Sequence, residues 1–182
     1  MASSETHHIL DLPEFDGAPR LLIVVAPYYK DIADNLVAGA RATAEKAGAY
    51  VDLIEVPGAL EIPTAIAMAA RMADYDGFVA LGCVIRGETT HYDTVCNDSS
   101  RGLTLLGLEG ICVGNGILTV ENYDQAAVRA DPEDQNKGGG AAAAALHLIS
   151  LSRKWARRTK GIGFKPAESF RIAGKPDGSN QA

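Results

Sequence analysis

Eight consecutive residues, Arg86-Gly-Glu-Thr-Thr-His-Tyr-Asp93, hold the densest chemistry in the chain. They follow an apolar run and precede a helical pattern. A glycine, two hydroxyls and free backbone N–H groups therefore open a helix, which is a ready anion site suited to a phosphate. Glu88 and Thr89 lie at its centre. His91 follows in the first turn, and histidine is the side chain best suited to moving protons near neutral pH. The bland alternative is a capped helix whose histidine makes one hydrogen bond. Residue chemistry alone leaves both readings open.

Three other segments carry groups of the same kind. In Pro57-Gly-Ala-Leu-Glu-Ile-Pro63 the Pro-Gly pair forces a turn and small Ala59 lets backbone approach a ligand. Glu61 stands among apolar neighbours at a helix start. It either compensates the helix dipole or accepts hydrogen bonds from a polyol. In Pro27-Tyr-Tyr-Lys30, Tyr28 either stacks on a flat heterocycle or covers a sheet edge. Asn115-Gly-Ile117 allows close backbone approach. Beyond it Arg129 and Lys137 flank Asp131, Glu133 and Asp134. Arg129 suits bidentate phosphate binding, or it pairs with those acids in salt bridges of little worth.

Other chemistries are excluded by pattern. Gly-Lys-Ser/Thr is missing, so no Walker A loop is present. His7, His8 and His147 have no zinc-ligand spacing relative to His91, and no metal is expected. Serine triad, Cys–His pair and dinucleotide fingerprint are all absent from the sequence. Cys83, Cys96 and Cys112 lack C-x-x-C spacing and read as reduced, buried thiols. What remains points to a small phosphorylated substrate, a flat polar ring and acid–base chemistry at one histidine.

Alternating strands and helices must position these groups. Leu21–Ala26, Tyr50–Val56, Gly77–Ile85 and Gly110–Leu118 read as strands. The first is a continuous apolar run, as a strand covered on both faces requires. Helices are expected at Asp31–Ala47 (Asp31 capping it, Gly48 stopping it), Ile62–Ala73, His91–Leu106, Asn122–Ala130 and Lys137–Lys154. Thr90 and Asp93 have an approximate capping-box spacing. Strand–helix alternation with right-handed crossovers predicts an α/β, three-layer, flavodoxin-like fold: a four-stranded parallel sheet, order 2-1-3-4, helices on both faces. Ligands of such sheets bind beyond the carboxyl ends of the strands, just after Ala26, Val56, Ile85 and Asn115.

The chain has 182 residues, 47% hydrophobic and 22% charged, with a formal net charge of −6. That length suits one domain with its own core. An acidic body is a poor nucleic-acid binder, because such affinity comes from neutralising phosphates. No apolar run is long enough to span a bilayer, and the start has no signal-peptide pattern; a cytoplasmic protein is expected. Residues 1–19 read as an N-terminal arm, 20–157 as the domain, and 158–182 as a basic tail that is either solvated or docked on an acidic surface.

Long motifs in register give the chain a close resemblance to the lumazine synthase family, from about Arg20 to Trp155. They are Val56-Pro-Gly-Ala-Leu-Glu-Ile-Pro63, Leu81-Gly-Cys-Val-Ile-Arg-Gly-Glu-Thr-Thr-His-Tyr-Asp93, Gly116-Ile-Leu-Thr-Val-Glu-Asn122 and Asn136-Lys-Gly138. The resemblance implies a transferase of riboflavin biosynthesis that needs no metal or cofactor. It would condense 5-amino-6-ribitylamino-2,4(1H,3H)-pyrimidinedione with 3,4-dihydroxy-2-butanone 4-phosphate. Carried over by position, His91 is the proton shuttle. Glu88 and Thr89 form the phosphate cradle, chiefly through backbone and hydroxyl, with Arg129 as its cation and Lys137 nearby. Tyr28 stacks on the pyrimidine. Ala59, Leu60 and Glu61 hold the ring and ribityl chain, and Cys83, Val84 and Ile85 run along the ring.

Three positions depart from the family pattern. Pro27 stands where many members have Arg, Asn115 where many have an aromatic contributed across a subunit boundary, and Gly140 where some have Glu. The resemblance also implies a homopentamer with a site shared between neighbours, and riboflavin synthase as a partner. Two rivals on the same scaffold are a non-catalytic flavin-binding module and a shell protein with a vestigial site. Neither needs a proton shuttle and a phosphate cradle together. The Ala-rich helix after Gly138 and the small residues Ser99, Ser100 and Gly102 are expected at subunit contacts.

Overall fold

The computed structural model of the chain describes residues 10–159, with backbone alone for 157–159. Nine elements follow one another there: β1 (Arg20–Val25), α1 (Lys30–Lys46), β2 (Tyr50–Glu55), α2 (Glu61–Met72), β3 (Gly77–Ile85), α3 (His91–Leu108), β4 (Val113–Val120), α4 (Tyr123–Ala130) and α5 (Lys137–Thr159). The strands form one parallel sheet in the order β2-β1-β3-β4. The expected flavodoxin-like α/β fold is the one observed.

The apolar run of β1 feeds two cores, because successive side chains point to opposite faces. Leu21, Ile23 and Val25 pack with Ile32, Leu36 and Ala40 of α1 and Ala142, Leu146 and Ile149 of α5. Leu22, Val24 and Ala26 pack with Ile62 and Ile66 of α2 and Leu103 of α3. The sheet is thus covered on both faces, which is why alternation is lost from its central strands.

Element ends show where the sequence reading needed correction. Asp31 does not cap α1; Tyr29 occupies that position without a side-chain bond, and Asp31 sits in the first turn. The Thr90–Asp93 capping box is not formed, since Asp93 turns its carboxylate to Arg86. Gly48 ends α1 as expected, in the left-handed region at φ +74°. β4 extends to Val120, because it pairs residue for residue with β3 from Phe78↔Val113 to Ile85↔Val120. Asn115 therefore lies in mid-strand opposite Ala80, not at a strand end.

The Ala-rich helix turns part of its small surface inward, while Gly140 and Ala144 stay exposed. Ala141, Ala142 and Ala145 are buried within the chain, because small side chains let α5 lie close to the sheet. Ser99 is likewise buried within the chain, and Gly102 faces Pro63 of α2. Exposed large apolar residues lie on β2, α2 and α3, with Tyr50, Met68, Met72, Leu105 and Leu108 prominent among them, and on α5 itself, where Leu148, Leu151 and Trp155 are exposed. At the chain's start, Leu12 and Phe15 of the arm pack against the α1–α5 core. Arg153 of α5 pairs with Asp76 at 3.1 Å and lies over the Phe15 ring. Helix α5 runs past residue 157 to Thr159; the remainder of the basic tail, 160–182, and residues 1–9 of the arm lie outside the described residues. No helix among the described residues is long and apolar enough to cross a membrane.

Candidate active site

Parallel strands end together, so the loops after β1, β2 and β3 converge at one end of the sheet. The change of winding direction between β1 and β3 leaves a crevice there. A cavity of about 540 Å³ fills it. The loop after β1 supplies Tyr28 and Tyr29, the turn before α2 supplies Pro57 to Glu61, and the end of β3 supplies Cys83, Val84 and Ile85. Gly87, Thr89 and His91 complete it from the start of α3. Nine of the residues singled out by sequence are thus brought to one wall-to-wall site: Tyr28, Ala59, Leu60, Glu61, Cys83, Val84, Ile85, Thr89 and His91.

Local chemistry explains each placement. Tyr28 projects into solvent at 76% exposure, held edge-on to Tyr29 with ring centroids 5.0 Å apart. Its face is free to take a flat ring. Glu61 opens α2, where the helix dipole favours a carboxylate. Its Oε2 lies over Gly58, so close that a Cβ there would meet it at 2.9 Å. Cys83 is buried, and its thiol is pushed up to about 11, first by burial and then by the Asp31 carboxylate. It acts as an apolar wall rather than a nucleophile. Burial likewise raises the Tyr29 phenol, with smaller contributions from Tyr28 and Cys83.

The turn before α3 has the form an anion needs. The His91 N–H approaches Thr89 Oγ1 at 3.4 Å, and no side chain caps the helix. Gly87 has open space where a Cβ would stand. Glu88 is exposed and, unlike the other residue expected in the phosphate cradle, Thr89, is absent from the cavity lining.

Asn115, Arg129 and Lys137 do not join this cavity. They line a second one of about 350 Å³, which wraps the free edge of β4 with Thr119, Gly140 and Ala144. Arg129 is half-buried, and its guanidinium donates to the Gln125 carbonyl at 3.0 Å. Neither Arg129 nor Lys137 is in an ion pair among the described residues. The salt-bridge alternative with Asp131 is not realised, because that carboxylate accepts the Glu133 N–H at 2.9 Å instead. Asn136 caps α5 by accepting the Gly139 N–H at 2.9 Å. A Cβ at Gly138 would collide with the Leu36 carbonyl oxygen, so glycine there lets the start of α5 rest on α1 and fixes Lys137. Asn115 Oδ1 accepts the Ile117 N–H at 3.0 Å, leaving its amide N–H groups as the outward donors.

Several lining residues escaped the sequence reading. Val95 stands four residues after His91, a spacing that puts both on one helix face and was available in the sequence. Tyr92 and Tyr29 also line the first cavity, and Thr119 the second. Among the described residues no three His, Cys, Asp or Glu side chains converge as metal ligands would.

Comparison with known proteins gives matches along most of the chain. The 6,7-dimethyl-8-ribityllumazine synthase family profile matches residues 18–153. A protein of that name from Jannaschia sp. (strain CCS1) is 56% identical over 173 residues, covering 95% of this chain and 96% of that protein. Another from Agrobacterium fabrum is 58% identical over 142 residues, covering 75% and 96%. A third, from Novosphingobium aromaticivorans, is 55% identical over 136 residues, covering 75% and 98%. Its parallel sheet and strand-end cavity, together with these matches along most of its length, place the chain in the 6,7-dimethyl-8-ribityllumazine synthase family, transferases of riboflavin biosynthesis.

Proposed function

We propose that the chain condenses 5-amino-6-ribitylamino-2,4(1H,3H)-pyrimidinedione with 3,4-dihydroxy-2-butanone 4-phosphate. The product is 6,7-dimethyl-8-ribityllumazine, with release of phosphate and two waters. The carrying observation is that three strand ends gather Tyr28, Glu61 and His91 round one cavity. Tyr28 stacks on the pyrimidine, while Ala59 and Leu60 border it and Glu61 accepts hydrogen bonds from the ribityl hydroxyls. Cys83, Val84 and Ile85 form the apolar wall along the ring. The backbone of Glu88 and the hydroxyl and backbone of Thr89 cradle the phosphate.

The chemistry is imine formation, phosphate elimination and ring closure. Each step moves protons, and none needs a nucleophilic side chain. His91 carries those protons, while holding two substrates together supplies much of the rate. The phosphate's counter-charges, Arg129 and Lys137, sit in the other cavity, with Asn115. A site that needs both cavities is completed by pressing the β4 edge of one subunit against the strand-end crevice of its neighbour. A homopentamer is the assembly proposed, and the exposed Met68, Met72, Leu105 and Leu108 give it apolar surface to bury. A cytoplasmic setting belongs to the same reading, since Cys83, Cys96 and Cys112 are free thiols. Riboflavin synthase, which would consume the product, is the partner it implies.

The test is turnover of the purified chain, followed by product absorbance, with His91→Ala beside it. The variant is expected to be slower by roughly 10-fold to a few thousand-fold, the range a general acid–base group supplies. Wild-type turnover by the variant would remove His91 from the chemistry.

A further inference from the structure

His91 has no hydrogen bond to its ring among the described residues, and its helix starts without a side-chain cap. Something else must hold that first turn. The two residues that follow His91 both meet Arg86, the residue just past the end of β3. The Arg86 guanidinium lies over the Tyr92 ring at 4.1 Å from its centroid. Its Nη1 reaches the Asp93 carboxylate at 3.5 Å. On the other side its Nε donates to Glu121 Oε2 at 2.8 Å, and its backbone N–H donates to the Val120 carbonyl at 2.9 Å. One planar cation thus joins the end of β4 to the first turn of α3.

We infer that Arg86 is a positioning residue, which fixes the turn carrying His91 against the strand ends. The inference rests on the reading of His91 as the proton carrier. Arg86 itself is absent from the cavity lining, whereas Tyr92, on which it stacks, is part of it. Single exposed ion pairs are weak. Here three contacts share one rigid plane: those to Tyr92 and Asp93 hold the first turn of α3, and that to Glu121 ties the plane to the end of β4. Loss of the plane frees the turn without opening the core. Lysine keeps the charge but neither stacks as a plane nor forks between two carboxylates.

The experiment is a double-mutant cycle in the full-length protein, with assembly checked by sedimentation. Steady-state kinetics for both substrates are measured for Arg86→Met, Arg86→Lys, Glu121→Gln, His91→Ala and Arg86→Met combined with His91→Ala. Arg86→Met is expected to lower kcat about tenfold with both KM values within about twofold, as for a modest misplacement of a reacting group. Arg86→Lys and Glu121→Gln fall between it and the wild type. In the His91→Ala background, Arg86→Met costs less than about twofold, because the group it positions is gone. A repeated tenfold loss in that background would mean a merely structural role and overturn the inference. A rise confined to KM for the butanone phosphate would also overturn it, making Arg86 a phosphate ligand. Wild-type turnover by His91→Ala alone would instead bring down the reading of His91 on which the inference stands.

Discussion

Replacing Gly102 by alanine puts a methyl group where α3 crosses α2. The added Cβ would stand 2.8 Å from Cβ and 2.9 Å from Cγ of Pro63. Ordinary carbon–carbon contact is about 3.5–4.0 Å, so the helices must part by roughly 0.7–1.2 Å. Pro63 is a ring in the first turn of α2 and cannot rotate aside. Overpacking of this kind costs about 1–3 kcal/mol, against which alanine gains about 1 kcal/mol of helix propensity. A net loss of up to about 2 kcal/mol follows, or a fall in Tm of up to roughly 8 °C for a chain of this size. Gly107 in the same helix is the control, since nothing lies within 4 Å of its Cβ position. Gly107→Ala should hold or raise Tm. Because α2 carries Glu61 and α3 carries His91, parting them also widens the cavity, and kcat of Gly102→Ala should fall several-fold. Calorimetry of both variants and turnover by product absorbance provide the measurements. A Tm for Gly102→Ala equal to or above that of Gly107→Ala would refute the packing argument.

Three further outcomes are expected. Arg129→Ala should raise KM for the butanone phosphate by about 10- to 100-fold, the worth of a charge-assisted hydrogen bond, and spare pyrimidine affinity; the reverse pattern would place Arg129 elsewhere. Chains carrying His91→Ala and chains carrying Arg129→Ala, unfolded and refolded together in equal amounts, should recover about one quarter of wild-type activity if each site draws on two subunits. No recovery above either variant alone would assign both residues to the same subunit. The Cys83 thiol ionises near 9.0 when unfolded and about 11 when folded. Its contribution to stability is therefore complete below pH 9 and is lost as pH climbs toward 11. Denaturant midpoints of the wild type should fall more steeply over that window than those of Cys83→Ala, and parallel curves would contradict the burial of the thiol.

The order of strands, the covered sheet and the convergence of Tyr28, Glu61 and His91 were legible in the sequence because each follows from local pattern. An apolar run such as Leu21–Val25 admits few other fates, and parallel strands that end level bring their following loops together wherever they occur. Motif chemistry at Arg86–Asp93 was local in the same sense. What only the tertiary structure decided is which distant segments share a surface. Arg129 and Lys137 resemble phosphate ligands by type, yet they lie along the β4 edge, away from the His91 cavity, because register with β3 carries β4 through to Val120. Composition alone does not say which small residues of α5 turn inward; Ala141, Ala142 and Ala145 face the sheet, since Gly138 lets the helix start against α1, while Gly140 and Ala144 line the second cavity. Arg86 carried no signal beyond its motif, because its partners Glu121 and Asp93 come from different elements. Pairings of that kind depend on strand register and helix distance, which arise from packing the whole chain and leave no trace in the spacing of residues.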